Sequence, residues 1–183
     1  MAQAYAHREK KYSAPIAGAL VSDPDFRKWV LAQTRFAKYD DAELLAEKML
    51  QKRSKGASNW WASHFQFRAC DCSGCVGGKE TDLLAVFEKD DYRFALHFEV
   101  KRPGDTFKPG KQQPEDYRTR AECWVRKAPR TVLDHQDAET ILICDPGRLP
   151  GFSTYATQFD RVITIQEIRG AFPALLHIDG STA

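Results

Sequence analysis

The chain has 183 residues, which suits one domain that can bury a sizeable core without disulfides or a structural metal. Hydrophobic residues make up 43% of it and charged residues 28%, a balance that excludes a disordered protein and indicates a soluble globular one. No apolar run approaches the roughly 20 residues that span a bilayer, and the net charge of +2 by itself indicates no particular partner.

The chain begins with "MAQAYAHREKKYSAP", which predicts a flexible N-terminal arm over residues 1–20, before a single domain over residues 21–183. The arm has no apolar core after its basic residues, so it does not have the pattern of a secretory signal. The five cysteines are an odd number in a chain without such a signal. We therefore expect a reducing, cytoplasmic setting.

Two helices are predicted next. "SDPDFRKWVLAQTRFAKY" has apolar residues at helical spacing, with Ser22 or Asp23 as a cap and Pro24 in the first turn. "DDAELLAEKMLQKR" predicts a second helix, capped by Asp40 or Asp41.

From Trp60 the pattern changes to alternation with aromatic residues. Strands are predicted at "NWWASHFQFRAC", "TDLLAVFE" and "YRFALHFEVKRP". A helix with Pro114 in its first turn follows at "QPEDYRTRAECWVRKA", then a buried strand at "ETILICD". "DRVITI" and "QEIRGAF" add a last strand and a short helix. This order predicts an α/β fold with a central mixed sheet flanked by helices.

The link "FEKDDYRF" between the second and third strands predicts a tight hairpin, with Asp90 and Asp91 as its central residues. In that register Asp82 lies directly opposite Glu99, and opposed residues share one face of a sheet. Lys101 follows Glu99 by two residues and joins the same face. A turn longer by one residue would shift this pairing.

An acid pair with a neighbouring lysine can hold a metal. Two close carboxylates repel each other unless a cation lies between them, and Mg²⁺ typically takes one or two carboxylates plus substrate phosphates. A lysine beside the metal can orient a water and stabilise charge on a phosphate. The alternative is an ordinary cross-strand ion pair between Glu99 and Lys101, since an isolated E-x-K is most often structural.

The charge distribution is uneven along the chain. Residues 101–130 hold nine lysines and arginines against four acids, while residues 134–183 hold three against seven. A basic segment beside the acid pair favours a polyanion docking there, although a solvated helix face is the alternative. The candidate phosphate contacts are Lys108, Lys111, Arg118, Arg120, Arg126 and Lys127.

"TDLLAVF", "HFEVK" and the helix beginning "QQPEDY" resemble the PD-(D/E)XK nuclease superfamily. That resemblance implies a restriction-endonuclease-like αβββαβ core and a DNA nuclease that depends on Mg²⁺, with Mn²⁺ able to substitute. It implies that Asp82 and Glu99 bind the metal and that Lys101 is the catalytic lysine. Glu47 on the preceding helix and the backbone carbonyl of Val100 would complete the ligands.

Gln113 and Tyr117, spaced Q-x-x-x-Y, resemble a motif of the RecB-like and phage exonuclease branch. In that branch the pair lies beside the active site and contacts the substrate. Glu43, one helical turn before Glu47, is the substitute for it as a ligand. Thr81 stands where the motif's name has proline.

Two alternatives to a DNA nuclease stay open. The same fold could serve as a catalytically inactive nucleic-acid-binding or interaction module, or the same chemistry could act on RNA. A nuclease domain of this size that cuts both strands would act as a homodimer or within a larger nucleic-acid-processing complex.

The loop "CDCSGC" places Cys70, Cys72 and Cys75 within six residues, a spacing that zinc or part of an iron–sulfur cluster could use. The candidates for a fourth ligand are Cys123, Cys144 and His64. Structural zinc sites more often show two C-x-x-C pairs, and one is present here. We therefore favour a loop of reduced thiols at a hairpin tip.

Overall fold

The structure, a computed structural model, describes residues 2–53, 56–62, 64–66, 79–107 and 113–176. The helices are α1 (Ala2–Ser22), α2 (Pro24–Ala32), α3 (Ala46–Lys52), α4 (Gln113–Arg126), α5 (Leu149–Ala156) and α6 (Ile165–Ala171), with short 3-10 turns at Ala37–Tyr39 and Pro146–Arg148. The strands are β1 (Glu43–Leu44), β2 (His64–Gln66), β3 (Lys79–Thr81), β4 (Leu83–Lys89), β5 (Tyr92–Val100), β6 (Asp137–Cys144) and β7 (Arg161–Thr164).

Five of the strands form one mixed sheet in the order β1-β4-β5-β6-β7. β4 pairs antiparallel with β1 and β5, whereas β6 pairs parallel with β5 and β7. The connection between the parallel strands β5 and β6 contains α4, as a parallel crossover usually does. The prediction of an α/β fold with a mixed sheet flanked by helices is therefore confirmed.

The two faces of this sheet are buried against different helices. Leu83, Ala85 and Phe87 pack in the cluster that contains buried residues of α1, α2 and α6. Leu84 and Val86 point the other way, into a cluster with residues of α4. We call these the α1–α2 face and the α4 face. Because both faces are covered, β4 is apolar at consecutive positions instead of alternating with polar ones.

The β4–β5 hairpin has the register that its turn predicts. Lys89 pairs with Tyr92 at the turn, and Leu83 pairs with Phe98 at the other end. Asp90 and Asp91 have φ angles of 49° and 62°, which is the left-handed pair of conformations of a type I′ turn. The two-residue turn therefore fixes which side chains of β4 and β5 share a face.

The N-terminal region differs from its prediction as a flexible arm. Residues 2–22 form α1, and Ile16 and Leu20 near its end are buried in the cluster of the α1–α2 face. The Arg27 side chain of α2 donates to the Leu20 carbonyl oxygen at 2.9 Å, which ties the two helices together. This helix depends on burial of one apolar stripe, which the short apolar run at residues 16–20 signals only weakly.

Two other elements also differ from the predictions. The helix predicted from Asp40 or Asp41 begins at Ala46, because Glu43 and Leu44 first pair with β4 as β1. In the described part of the first predicted strand, His64–Gln66 form β2, which pairs with β3 in a separate two-stranded sheet and not with the main one. None of the helices in the described ranges is long and apolar enough to cross a membrane.

Candidate active site

The hairpin brings together the three residues that the sequence singles out. Asp82 lies just before β4, in the register position opposite Glu99 of β5, and Lys101 follows β5. Glu99 belongs to the α4 face by the alternation of strand side chains, and hydrogen bonds with Tyr117 of α4 and with Val100 place Asp82 beside it. The Glu99 side chain is 1% exposed and that of Lys101 is 11% exposed, so the cluster is largely withdrawn from water.

Each member of the cluster has a defined contact. The Lys101 ammonium group forms an ion pair with the Glu99 carboxylate. The Val100 N–H donates to Asp82 Oδ2 at 3.1 Å. In a regular strand the N–H and C=O of one residue point to the same edge, so the Val100 carbonyl faces the same edge of β5 as its N–H.

A cation–π contact also holds Lys101. Its Nζ atom lies 4.6 Å from the centroid of the Phe107 ring. Phe107 is itself buried and packs edge-on against Phe152 of α5, with ring centroids 5.0 Å apart. The segment that follows β5 and the helix α5 therefore together line the site next to Lys101.

Tyr117 of α4 closes the cluster from above. Its buried hydroxyl accepts a hydrogen bond from the Asp82 N–H at 3.1 Å and lies near the Glu99 carboxylate. Burial raises the pKa of Tyr117 well above its usual range, and the negative charges of Asp82 and Glu99 raise it further. Tyr117 therefore stays a phenol.

The carboxyl groups of Asp82 and Glu99 repel each other when both are charged. Burial raises the pKa of Asp82 well above its ordinary value, and the charge of Glu99 is the next cause. Two carboxylates so placed share a proton unless a cation lies between them. Among the described residues no group of three or more His, Cys, Asp or Glu is arranged to hold a metal. The pair alone fits Mg²⁺, which typically takes one or two carboxylates and keeps water and phosphate ligands.

Lys101 keeps its proton in this setting. Burial lowers its pKa, but the charge and hydrogen bond of Glu99 outweigh burial, and the net pKa is raised. An ammonium group in this position can hold a water or offset charge on a phosphate oxygen, but it does not serve as a base near neutral pH.

The structure does not bring Glu47 to the carboxyl pair. Glu47 and its substitute Glu43 are both exposed, while Leu45 and Met49 are the buried residues around them. The Leu45 N–H donates to the Val86 carbonyl, four residues and roughly 13 Å along β4 from Asp82. A helical residue two positions from Met49 points away from the sheet, so the prediction of Glu47 as a ligand is not met.

The predicted substrate contacts are placed differently from one another. Arg118 is exposed and pairs with Asp160 at 3.0 Å. Gln113 begins α4, one turn before Tyr117. Lys108, Lys111 and the cysteines at 70, 72 and 75 lie outside the described residues.

Arg120 is not at the surface, so its prediction as a phosphate contact needs correction. It is 2% exposed, and its Nε–H donates to Thr81 Oγ1 at 2.8 Å. Its guanidinium lies over the Tyr117 ring, with Cζ 4.4 Å from the centroid. The spacing could have indicated this, since Arg120 falls three residues after Tyr117 and four before Trp124, on the apolar stripe of α4.

The candidate ligands of a cysteine-bound metal are dispersed. Cys123 and Cys144 are buried in separate clusters. His64 Nε2 lies 2.9 Å from the Trp60 carbonyl oxygen, and burial lowers its pKa to about 4. None of this tests the loop that holds the other three cysteines.

A pocket of about 240 Å³ lies along α4 and the beginning of β6, and its lining does not include Asp82, Glu99 or Lys101. Its lining includes Arg35, Arg118, Asp137 and Asp160. The two arginines already pair with the two aspartates, so the pocket offers no clear excess of either charge. The concentration of strained carboxylates identifies the end of the hairpin, not this pocket, as the candidate active site.

Comparison with known proteins adds no relative: no family model matches the chain, and neither does any curated protein or solved structure. The function must therefore be argued from the site.

Proposed function

We propose that this protein is a divalent-metal-dependent nuclease of the PD-(D/E)XK type that hydrolyses phosphodiester bonds in DNA. The observation that carries the proposal is the meeting of Asp82, Glu99 and Lys101 on one face of a hairpin, under the Tyr117 hydroxyl. The element order supports a restriction-endonuclease-like core in part: α3, β4, β5, α4 and β6 follow its order, but β2 and β3 pair in a separate sheet, so β4 and β5 stand where that core has three strands.

Asp82 and Glu99 would hold the metal, with the carbonyl of Val100 as a further ligand. Their separation from bulk water and the raised pKa of Asp82 favour occupation by a cation over two bare carboxylates. Mg²⁺ suits such oxygen ligands, and Mn²⁺ can substitute for it. When bound, the ion supplies an acidic water and offsets the charge that develops on the phosphate.

The chain's own groups would orient the reaction. Lys101, which stays an ammonium group, donates to the attacking water or to a phosphate oxygen. The Tyr117 hydroxyl holds the Asp82 amide, and the Val100 amide holds the Asp82 carboxylate. Fixed donors of this kind stabilise developing charge without reorganising during the reaction.

The DNA backbone would be bound by basic residues of α4 and the segment before it. Arg118 and Arg126 are exposed on α4, and Lys127 is exposed directly after it; Lys108 and Lys111 precede α4, and Gln113 begins it. Phosphate contacts of this type make binding steeply salt-dependent. Cutting both strands of a duplex would require a homodimer or a larger nucleic-acid-processing complex.

The test is cleavage of circular and linear DNA with Mg²⁺, Mn²⁺ or EDTA. We expect metal-dependent cleavage by the wild type, and a loss of about a hundredfold or more in Glu99→Gln and Lys101→Met. Glu88→Gln and Arg93→Met are the matched controls, because they disrupt an ion pair at the other end of the same hairpin. Loss of the circular substrate marks an endonuclease.

One observation favours a catalytically inactive module instead. Glu99 already pairs with Lys101, and Asp82 already accepts the Val100 amide, so the cluster has structural contacts of its own. If folded wild type cuts neither single-stranded, duplex nor branched DNA with either metal, the DNA nuclease is overturned. Cleavage of RNA alone would assign an RNA-directed nuclease, and cleavage of neither would assign the binding module.

A further inference from the structure

Arg120 is a buried cation that the chemistry proposed above does not use. A guanidinium withdrawn from water is costly unless hydrogen bonds or opposite charges compensate it. Its Nε–H bond to Thr81 Oγ1 and its stacking on Tyr117 are the contacts that hold it in place. Both partners of Arg120 are adjacent to Asp82. Thr81 directly precedes Asp82 in the chain, and the Tyr117 hydroxyl accepts a hydrogen bond from the Asp82 N–H.

Thr81 extends this arrangement to the neighbouring strand. It is fully buried, and its Oγ1 lies 3.4 Å from Nδ1 of His97. Because Oγ1 accepts from Arg120, its own hydrogen is available to donate to His97. His97 is two residues before Glu99 on the same face, so the contacts of Arg120 reach both strands that carry the carboxylates.

We propose that Arg120 is a positioning residue of the site: by holding Thr81 and the ring of Tyr117, it fixes where Asp82 and Glu99 lie. Its guanidinium is buried, so it acts through these neighbours and not by contact with DNA. A planar guanidinium can stack on a ring while donating in its own plane, which a lysine cannot do. The kinetic part of this inference rests on the proposed nuclease function, whereas the structural part does not.

Hydrogen exchange at the Asp82 amide tests the structural part without any catalysis. In metal-free protein, Arg120→Met should speed exchange of the Asp82 amide by about tenfold relative to amides in the middle of β4, since its acceptor Tyr117 is released. The matched control is Arg27→Met, which removes an arginine with two carbonyl contacts on the α1–α2 face. That control should leave the relative exchange at Asp82 unchanged.

Cleavage kinetics test the remaining part. At saturating Mg²⁺, Arg120→Met should lower kcat at least tenfold while KM for DNA changes less than about twofold, because the residue does not touch the substrate. Arg120→Lys keeps the charge but not the planar group that stacks on Tyr117, so its kcat should lie between those of the wild type and Arg120→Met. A merely structural arginine would lower the folded fraction and leave kcat per folded molecule unchanged.

Thr81→Val keeps the test decisive if Arg120→Met does not fold. It keeps the guanidinium and the Tyr117 ring but removes the acceptor of the Arg120 Nε–H, and faster exchange at Asp82 is again expected. Unchanged exchange at Asp82 in whichever of these variants folds overturns the inference. A wild type that binds metal but cuts nothing overturns the nuclease proposal, while the exchange result still decides the role of Arg120.

Discussion

The two ends of the β4–β5 hairpin carry the same kinds of charged residue in different surroundings. At the turn end, Glu88 contacts Arg93 and Lys48, and the side chains of Glu88 and Arg93 are 20% and 34% exposed. At the open end, Glu99 contacts Lys101, and both are far more deeply buried. The residue types alone therefore do not separate a structural ion pair from a candidate active site.

Burial and the count of charges make the difference. The Arg93 hydrogen bond lowers the pKa of Glu88, whereas burial and then Glu99 raise that of Asp82. At the turn end one carboxylate has two cationic neighbours. At the open end the two carboxylates of Asp82 and Glu99 share the single cation of Lys101. A further cation would therefore be attracted to that end.

The largest expected difference is in stability. Lys101→Met leaves the Glu99 carboxylate buried without its cation, and breaking such a pair costs about 3–5 kcal/mol. Arg93→Met breaks a more exposed pair and should cost less than about 1 kcal/mol. Urea unfolding at neutral pH in EDTA measures both, and equal costs would mean that the two ends do not differ energetically.

Metal binding should sharpen the contrast. Mg²⁺ at about tenfold above its Kd should stabilise the wild type by about 1.4 kcal/mol, since it binds the folded protein alone. The gain should vanish in Asp82→Asn and persist in Glu88→Gln, with ionic strength matched by NaCl. Thermal unfolding reports the shift, and the same gain in Asp82→Asn would place the metal elsewhere.

The pH dependence of stability should have opposite signs at the two ends. The raised pKa of Asp82 gives stability that is present below its unfolded value of 3.8 and is lost as pH rises through the folded pKa. The lowered pKa of Glu88 gives stability that is present above 4.5 and is lost as pH falls through the folded pKa.

Matched variants isolate these two contributions in EDTA. From about pH 4 to neutral, Asp82→Asn should gain stability relative to the wild type, because the asparagine avoids the buried charge. Glu88→Gln should lose stability over the same range and match the wild type at acid pH. Urea unfolding across this range measures both, and a common sign would contradict the assigned surroundings.

The open end could be predicted from the sequence because a two-residue turn and a side-chain period of two fix the register of a hairpin. Lys89 and Tyr92 define the turn, and the pairing then carries Asp82 to Glu99 without any knowledge of the core. Tyr117, in contrast, is predicted beside the site only by the resemblance of Q-x-x-x-Y to the RecB-like branch.

Glu47 and Arg120 could not be placed in this way. The pairing of Glu43 and Leu44 with β4 delays the start of α3, and that pairing is a tertiary contact which the helical pattern does not show. The apolar stripe of α4 indicates that Arg120 is buried, but the stacking on Tyr117 and the acceptor on Thr81 that compensate its charge are tertiary contacts. In both cases packing decides what local sequence leaves open.

The smallest expected effect lies in the turn itself. Asp90 and Asp91 both have positive φ, which costs most residues about 1 kcal/mol or more and costs glycine little. Asp91→Gly creates the Asp-Gly pair that type I′ turns favour and should stabilise the fold by about 0.5–1 kcal/mol. Asp91→Ala is the matched control and should destabilise, because alanine lacks the tolerance of aspartate for this conformation.

The turn lies roughly 23 Å along β4 from Asp82, so cleavage should not change in either variant. Urea unfolding of the two variants separates backbone strain from the charge they both remove, and a loss of stability in Asp91→Gly as large as in Asp91→Ala would show that the Asp91 carboxylate, not its φ angle, stabilises this end.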